Sequence, residues 1–585
     1  MKNKKQKTIS FITLSAVVIL LAITVSAADV NLSFDHFYDN AELTQALKDL
    51  QKAYPQFVKM ESLGKSHGGL DIWSVVINNP KTGPAEHKPG YYIDGNIHGN
   101  EIQGTEVTLY AMCYLLKNYG KTQFATRLLD ERSFYLIPTM NPDSRDIFIN
   151  KAEELRTGII PLDEDRDGTA DEDPAEDLNG DGFITQMRKK DPDGRLIPHP
   201  RDSRILIPAP AGKKGEYIML GSEGIDNDGD GRINEDGPGG YDMNRNFGYN
   251  WMPSYVQMGA GPYPFCWPET IACRDFLIAH PNIMGAQSFH NYGGMILVGP
   301  AAPNMGQLPM MDKQVMDTIG HNGEKILPGY RYIIIHKDLY TVYGGTVDFT
   351  YYGLGIYTFS NELDMDPFES MPFGNEEEQE NMTPEEQEQR QLANEFNELF
   401  FHDHVMLGES YVEWKPYNHP LYGEVEIGGV TKFGRRVPSL FQLADTCHRN
   451  AAFIFYHADQ LPHLEFQKIA VKKLDGDVYQ MDVRISNSRL TPSISQIAIQ
   501  KKIHRADKFT LEGKNVKILA AGYLTDKFRD LTQPIKTQDN FFWVENGVRG
   551  HGRIDIRLLV KGRGNVSLTY DSLKGGFQQA ETDLK

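Results

Sequence analysis

Short apolar runs alternate with helical stretches over the first two thirds of the chain. In residues 41–54 the apolar positions recur at helical spacing, and Pro55 ends the run. Two more helices are predicted at Thr105–Tyr119 and Thr270–His280. The apolar runs that predict buried strands are Ile72–Ile77, Tyr91–Ile97, Phe134–Pro138, Ile283–Phe289 and Ile356–Phe359. Buried strands separated by helices predict an α/β fold, with a mixed, mostly parallel sheet flanked by helices.

The pattern changes after about residue 460, where apolar and polar residues alternate. The alternating apolar positions are Tyr479, Met481, Val483 and Ile485 in one run, and Ile554, Ile556, Leu558 and Val560 in another. A period of two, repeated between turn signals, predicts an antiparallel β-sandwich of roughly 120 residues. We therefore expect a catalytic α/β domain over residues 28–455 and an all-β sandwich domain over residues 456–585.

The first 27 residues have the pattern of a signal peptide. Four lysines precede an apolar stretch from about Ile9 to Val25, and Val25-Ser26-Ala27 fits a cleavage site of small residues. Cleavage would give a secreted or periplasmic protein without a stable membrane span. The alternative is an uncleaved membrane anchor, because the apolar stretch is close to the shortest length that spans a bilayer.

Charge and composition exclude some classes of function. The 585 residues carry a net charge of −19, which argues against nucleic-acid binding because phosphate contacts need a basic surface. Four cysteines are too few for a disulfide-dense scaffold. Residues 163–236 are acidic and rich in glycine and asparagine, whereas residues 375–397 are rich in glutamate and glutamine and predict a solvent-exposed helix.

A histidine and a glutamate follow the strand predicted at Tyr91–Ile97. His98 and Glu101 form an HxxE pair, and their imidazole and carboxylate can face one zinc ion from a turn. A catalytic zinc also needs a third protein ligand and an open position, and His290 follows another predicted strand. Because sites collect at strand ends in α/β sheets, these three residues are a candidate metal site.

The HxxE pair becomes a specific signal because it is one of six motifs that occur in a fixed order. They are GNIHGNEIQG, NPDS, YDMNRNF, GPYPFCWPET, SFHNYG and YTVYGGTVDFTYYGLGIYTFSNEL. Over about residues 40–370 these motifs resemble the zinc carboxypeptidase family (M14, carboxypeptidase A-like). The resemblance implies the fold of that family and metal-dependent hydrolysis of peptide bonds.

The resemblance also implies a role for each matching residue. His98, Glu101 and His290 would bind Zn²⁺ and leave room for water and a substrate carbonyl. Glu362 would be the general base that takes the proton of this water and returns it to the leaving amine. Tyr340 would close over the substrate.

Substrate recognition is implied in the same way. Arg245, with Asn244, would bind the free C-terminal carboxylate, because a guanidinium fork matches a planar anion. Val347, two residues after the Gly-Gly pair, would form an apolar pocket floor that favours an apolar C-terminal side chain. The family also needs an arginine that stabilises the oxyanion, and we assign this role to Arg188 in ITQMRKK. The other candidates for that role are Arg156, Arg195 and Arg204.

The acidic segment contains three loops of the DxDxDG type, beginning at residues 163, 177 and 226. Oxygen ligands at positions 1, 3 and 5 with glycine at position 6 are typical of calcium loops, although none of the three has the glutamate at position 12. The alternative is an acidic, solvated segment without an ion. The candidate calcium ligands are Asp163, Asp165, Asp167, Asp171, Asp173, Asp177, Asn179, Asp181, Asp226, Asp228, Asp230 and Asp236.

Taken together, the sequence predicts an exported zinc carboxypeptidase that acts on peptides or proteins with a free C-terminus and also binds Ca²⁺. One alternative is an amidase or endopeptidase of peptidoglycan peptides on the same fold. A zinc deacylase shares the HxxE…His ligands but lacks the segment from Tyr340 to Glu362. A protein used only for binding, with its activity lost, is the alternative from another class.

Overall fold

The computed structural model describes residues 30–164, 166–363 and 383–585. The predicted signal peptide and the first part of the acidic helix predicted at residues 375–397 lie outside these ranges. Within them, no helix combines the length and the apolar character needed to cross a membrane. All four cysteines are free thiols.

Helices and strands alternate in the first part of the chain, whereas the last part consists mainly of strands. Within the described residues the α-helices are α1 (Asn40–Ala53), α2 (Gln103–Asn118), α3 (Gln123–Glu131), α4 (Pro142–Asn150), α5 (Pro268–Ala279), α6 (Met310–Ile326), α7 (Ile335–Asp338), α8 (Thr346–Asp348), α9 (Pro384–His404), α10 (Lys432–Arg436), α11 (Leu440–Asp459) and α12 (Gln496–Lys501). Short 3₁₀ turns are formed by Pro80–Thr82, Ala85–His87, Met243–Arg245 and Pro303–Met305, and a π-helical turn is formed by Phe349–Gly353.

The strands of the described residues fall into four sheets. The strands are β1 (Val58–Lys65), β2 (Asp71–Ile77), β3 (Gly90–Gly95), β4 (Ser133–Ile137), β5 (Gln186–Lys190), β6 (Leu196–His199), β7 (Asp202–Pro208), β8 (Tyr217–Ser222), β9 (Ile283–Asn291), β10 (Met295–Val298), β11 (Arg331–Ile334), β12 (Tyr357–Leu363), β13 (Tyr411–His419), β14 (Gly423–Val430), β15 (Leu464–Lys473), β16 (Val478–Asn487), β17 (Asp507–Gly513), β18 (Lys517–Asp526), β19 (Leu531–Ile535), β20 (Phe541–Val544), β21 (Arg553–Lys561), β22 (Gly564–Ser572) and β23 (Gly576–Leu584).

The first sheet has the strand order β1-β2-β4-β3-β9-β12-β10-β11. The pairs β4/β3, β3/β9, β9/β12 and β10/β11 are parallel, and the other pairs are antiparallel. Every residue of β3 and β9 is buried, because helices cover both faces of the sheet. This sheet confirms the predicted α/β fold, and its central strands coincide with the predicted apolar runs.

A second sheet, which the sequence pattern did not predict, forms within and beside the acidic insertion. Its order is β13-β14-β5-β8-β6-β7, and all of its pairs are antiparallel. The strands β5 to β8 are short and largely half-exposed, so their sequences show no clean alternation. Their partner β14 also lies far away in the chain, since Arg188 on β5 contacts Glu426 on β14 across 238 residues.

The last 120 or so residues form two antiparallel sheets, as the alternation predicts. One has the order β15-β16-β21-β18-β19 and the other the order β20-β17-β22-β23. Their inner faces share one apolar core, to which β16 contributes Tyr479, Met481, Val483 and Ile485. The two sheets are therefore consistent with a β-sandwich.

Asp312 on α6 ties the sandwich domain to the first sheet. Its carboxylate accepts hydrogen bonds from the backbone N–H groups of Gln496 and Ile497, both at 2.8 Å. It also accepts from the hydroxyl of Tyr351 at 2.8 Å and from the hydroxyl of Tyr357. Asp312 is fully buried, so each of these donors depends on it for a partner.

We expect the substitution Asp312→Asn to destabilise the protein by about 2–4 kcal/mol, because an amide nitrogen cannot accept and would leave buried donors unpaired. Urea unfolding followed by tryptophan fluorescence measures the loss. The matched control is Asp275→Asn, since Asp275 is exposed and forms an ion pair with its neighbour Arg274. Equal stability of the two variants would contradict a structural role for Asp312.

Candidate functional site

The three candidate metal ligands lie together at one edge of the first sheet. His98 and Glu101 are in the loop between β3 and α2, and His290 is near the end of β9. Because β3 and β9 are adjacent and parallel, their carboxyl ends meet at this edge. The side chain of Asn96, in a left-handed conformation with φ of 56°, donates to the carbonyl oxygen of His98 at 2.6 Å and fixes the start of the loop.

The donor atoms of these residues converge on one point. The Oε2 atom of Glu101 lies 2.8 Å from Nδ1 of His98 and 2.9 Å from Nδ1 of His290, and the two Nδ1 atoms are 3.2 Å apart. All three residues are buried, with at most 4% of their surface exposed. A proton on one imidazole bridges only one of these contacts, whereas a metal ion satisfies all three donors. Two imidazole nitrogens and one carboxylate oxygen are a ligand set that suits a catalytic zinc, so the residues fit the ion.

Asp242 and Arg156 surround the metal ligands. Asp242 Oδ1 lies 3.1 Å from Nε2 of His98, and Arg156 donates to Oε1 of Glu101 at 2.7 Å. Burial alone would raise the pKa of Asp242, but Arg245, His98 and Arg156 lower it well below its usual range. A carboxylate on the far nitrogen of a ligating histidine orients the ring and fixes its tautomer.

Asn244 and Arg245 line the pocket beside His290. The Oδ1 atom of Asn244 accepts from the backbone N–H and the hydroxyl of Thr346, both at 2.9 Å. Gly344 makes this contact possible, because a Cβ atom there would lie 2.3 Å from the carbonyl oxygen of Arg245. The Asn-Arg pair and the Gly-Gly motif are therefore packed against each other.

Glu362 is on β12, directly beside His290 in the parallel register of β9 and β12. Its carboxyl group lines the same pocket as the metal ligands. Burial raises the pKa of Glu362 to about 7, although Arg156 and Arg245 act in the opposite direction. A carboxyl group with a pKa near neutrality can both take up and give back a proton.

The pocket has a volume of about 250 Å³ and a mostly apolar inner part. Val347 and Leu297 line it, and Tyr340 lies at its edge with 49% of its surface exposed. Asp348, which the sequence analysis missed, is also in the lining. Its two carboxyl oxygens accept from the backbone N–H of Ala301 at 3.2 and 3.3 Å, and burial raises its pKa to about 7.

The choice of Arg188 as the oxyanion residue needs correction. Arg188 is on β5 of the second sheet, where it donates to Glu426 at 2.6 Å and to the carbonyl oxygen of Ser203 at 3.2 Å. Its guanidinium also packs on the ring of Trp414, and it is not among the residues that line the pocket. Arg156, one of the alternatives in the sequence, contacts the metal ligands instead.

The acidic loops bring some of their carboxylates close together. Backbone N–H groups of the loops donate hydrogen bonds to their side-chain oxygens. Oxygen atoms of Asp226, Asp228 and Asp230 lie within 4.8 Å of one another, and so do those of Asp167, Glu172 and Asp228. Asp165 lies outside the described residues. In the middle loop, backbone N–H groups occupy the side chains of Asp177, Asn179 and Asp181.

Three of the predicted calcium ligands accept hydrogen bonds from backbone N–H groups outside their own loop. Asp171 accepts from Leu162 and Gly239, and Asp173 and Asp236 accept from backbone N–H groups of the opposite loop. These contacts give the three carboxylates a structural role, and their assignment as calcium ligands stays a prediction. Only the contacts between distant loops reveal this, so the spacing of the motif alone could not.

Some further residues of the site could have been found from the sequence, whereas others could not. Asp242 stands just before the Asn-Arg pair and Asp348 just after Val347, so both were within motifs already singled out. Arg436 lines the pocket from α10, almost 200 residues after Arg245 in the chain, and no local pattern marks it.

Two family models match this chain. A family model described as zinc carboxypeptidase matches residues 43–175 and 214–393, which is more than half of the chain. A second model, described as a domain of unknown function, matches residues 463–583. The matched parts leave out the middle of the acidic insertion.

Curated relatives match over a short region. Carboxypeptidase D of Anas platyrhynchos is 34% identical over 106 residues, which is 18% of this chain and 8% of that protein. Carboxypeptidase SOL1 of Arabidopsis thaliana is 30% identical over 19% of this chain and 22% of its own length. Carboxypeptidase M of Mus musculus is 32% identical over 19% of this chain and 25% of its own length. The chain thus spans a quarter or less of these relatives.

Among solved structures, carboxypeptidase A of Helicoverpa armigera is 20% identical, with a TM-score of 0.40. It is matched over 59% of this chain and 69% of its own chain.

Proposed function

Because the chain belongs to the zinc carboxypeptidase family, we propose that it is a zinc-dependent enzyme that removes residues from the free C-terminus of peptides or proteins. The observation that carries the proposal is the shared pocket, in which Arg245 faces the same space as the three metal-donor side chains and Glu362. A carboxylate-binding arginine next to a hydrolytic centre selects the end of a chain rather than its middle.

His98, Glu101 and His290 would hold the zinc ion. When bound, zinc polarises a substrate carbonyl and lowers the pKa of its water. The Asp242 carboxylate contacts the far nitrogen of His98 and would orient this imidazole for binding the ion. Burial of all three ligands keeps competing water away from the donor atoms.

Glu362 would serve as general base and then as general acid. Its pKa of about 7 supports this, because such a group accepts a proton from water and releases it to the leaving amine near neutral pH. The register of β9 and β12, which pairs Glu362 with His290, supports this role because it brings the carboxyl group next to the candidate zinc ligands.

Arg156 would stabilise the oxyanion that develops on the substrate carbonyl. Its guanidinium is anchored by Glu101 and Asp242, and it retains exposed surface that faces the pocket. A fixed cation that needs no reorganisation is what electrostatic stabilisation requires. Tyr340, at the pocket edge, would cover the bound substrate.

An apolar C-terminal side chain fits the inner pocket best. Val347, Leu297 and Val342 form its walls, and burying an apolar side chain against them is favourable. The Asp348 carboxyl is already paired with the backbone of Ala301, so we do not assign it to recognition of a basic side chain.

Two further parts of the proposal rest on sequence patterns. The charged and apolar character of the first 27 residues supports export to a secreted or periplasmic location. The repeated DxDxDG pattern supports calcium binding by the acidic insertion.

We expect the purified protein to contain about one zinc ion per chain, and His290→Ala to lose most of it because a site with two ligands binds zinc weakly. Elemental analysis after exhaustive dialysis measures the content. His321→Ala is the matched control, since His321 is exposed on α6 and pairs with Glu324. Full zinc occupancy in His290→Ala would remove His290 from the ligand set.

Arg156→Ala should lower kcat by about 10²–10³-fold, the usual effect of removing an oxyanion donor. Arg188→Ala should leave kcat near the wild-type value, because Arg188 contacts the second sheet. Steady-state kinetics at saturating zinc separates the two variants, with zinc content checked in each. A loss in Arg188→Ala as large as in Arg156→Ala would restore the assignment made from sequence.

Arg245→Ala should lower kcat/KM by about 10²-fold or more for a peptide with a free C-terminus, because it leaves the substrate carboxylate unpaired. Cleavage of the same peptide with a C-terminal amide should change little, since the amide does not use the guanidinium fork. Arg245→Lys retains the charge and should restore only part of the rate. If both peptides are affected equally, Arg245 is structural and the exopeptidase assignment fails.

A further inference from the structure

Two of the acidic loops repeat each other over eleven positions. Residues 163–173 and 226–236 share aspartate at positions 1, 3, 5 and 11, glycine at position 6 and glutamate at position 10. We call them the first and the third loop. The glutamates at position 10, Glu172 and Glu235, were not among the ligands predicted from sequence.

The aspartates at position 11 join the two loops symmetrically. Asp236 accepts from the backbone N–H groups of residues 164 and 171 at 3.1 and 3.2 Å. Asp173 accepts from those of residues 227 and 234, both at 3.1 Å. The backbone N–H of Asp173 also donates to the carbonyl oxygen of Asp236 at 3.2 Å. These two carboxylates are fully buried and satisfied, so they hold the loops together.

Unlike the aspartates at position 11, the glutamates at position 10 lack hydrogen-bond partners for their carboxylates. Both carboxylate oxygens of Glu172, and both of Glu235, are shielded from solvent and have no hydrogen-bond partner. An oxygen of Glu172 lies within 4.8 Å of carboxylate oxygens of Asp167 and Asp228, which belong to different loops. Shielded carboxylates that face other carboxylates are unfavourable unless a cation lies among them.

We propose that Glu172 and Glu235 are the closing ligands of two calcium ions, one for each of the paired loops. The inference rests on the proposal that the insertion binds calcium and identifies its ligands. Calcium takes six to eight oxygen ligands in irregular geometry, so a carboxylate at position 10 can do what the missing glutamate at position 12 does in other calcium loops. Asp228, close to both Glu172 and the remaining acids of its own loop, connects the two sites.

The pair of loops stands between the two segments that frame the pocket. Arg156 precedes the first loop, and Asp242 follows the third loop. Gly158 donates to the carbonyl oxygen of Tyr241 at 3.1 Å, so these two segments are hydrogen-bonded to each other. Calcium bound by the loops would therefore restrict the motion of residues on both sides of the candidate metal site.

The test uses the full-length protein freed of calcium with a calcium-selective chelator and titrated with Ca²⁺ alone. Isothermal titration calorimetry gives stoichiometry and affinity for the wild type, Glu172→Gln and Glu235→Gln. The matched control is Glu216→Gln, an exposed glutamate of the same insertion. Each position-10 variant should lose one site or bind it at least tenfold more weakly, and the control should bind as the wild type does.

Thermal unfolding adds a second readout. The sign of the change in melting temperature without calcium distinguishes a calcium ligand from a carboxylate with a structural role. Without calcium, Glu172→Gln and Glu235→Gln should melt at or above the wild-type temperature, because the substitution removes an unpaired, shielded charge. With calcium, their gain in melting temperature should be smaller than that of the wild type. Glu172→Asp keeps the charge but shortens the side chain, and it should also weaken binding.

Two results would overturn the proposal, and they are distinguishable. If the wild type binds calcium and both position-10 variants bind it equally well, Glu172 and Glu235 are not ligands, although the insertion still binds calcium. If the wild type binds no calcium, calcium binding by the insertion fails as well.

Discussion

The arrangement of the site depends on one electrostatic constraint, the contact of a buried carboxylate with two imidazoles. Glu101, His98 and His290 bring three electron-pair donors to within 3.2 Å of one another, where solvent cannot screen them. Such a group persists only with a cation at its centre or with protons shared among the donors. The adjacent, parallel strands β3 and β9 fix the spacing, because both deliver their ligands at the same edge of the sheet. The rest of the site is arranged around this point.

The charges around the candidate metal ligands connect them to Arg245, the residue proposed to bind the substrate carboxylate. Asp242 contacts His98 on one side and lies 3.9 Å from Arg245 on the other, and Arg156 joins Asp242 to Glu101. Each cation is held by a carboxylate, so its orientation is set before a substrate arrives. The same contacts lower the pKa of Asp242, which keeps it charged and able to orient the imidazole.

The sequence was sufficient to predict contacts that follow from a local pattern. It was not sufficient to predict contacts that join distant segments of the chain. The strands of the first sheet are continuous apolar runs, and His98, Glu101 and His290 stand directly after or at the end of such runs. Arg188 had a local motif that resembled the family, but tertiary pairing with Glu426 on β14 takes it into the second sheet. The role of Glu172 and Glu235 in the acidic loops was equally hidden, because the pairing of two loops some sixty residues apart decides which carboxylates lack a hydrogen-bond partner.

The parts of the chain outside the α/β core are joined to it through backbone and buried polar groups. The acidic insertion begins shortly after Arg156 and ends shortly before Asp242 in the chain. The sandwich domain donates backbone N–H groups to Asp312, which also accepts from the hydroxyl of Tyr351 in the turn that follows Val347. Both connections are made of hydrogen bonds to buried carboxylates, whose geometry is more exacting than that of apolar contacts. The α/β core is thus connected by buried polar contacts both to the insertion and to the sandwich domain.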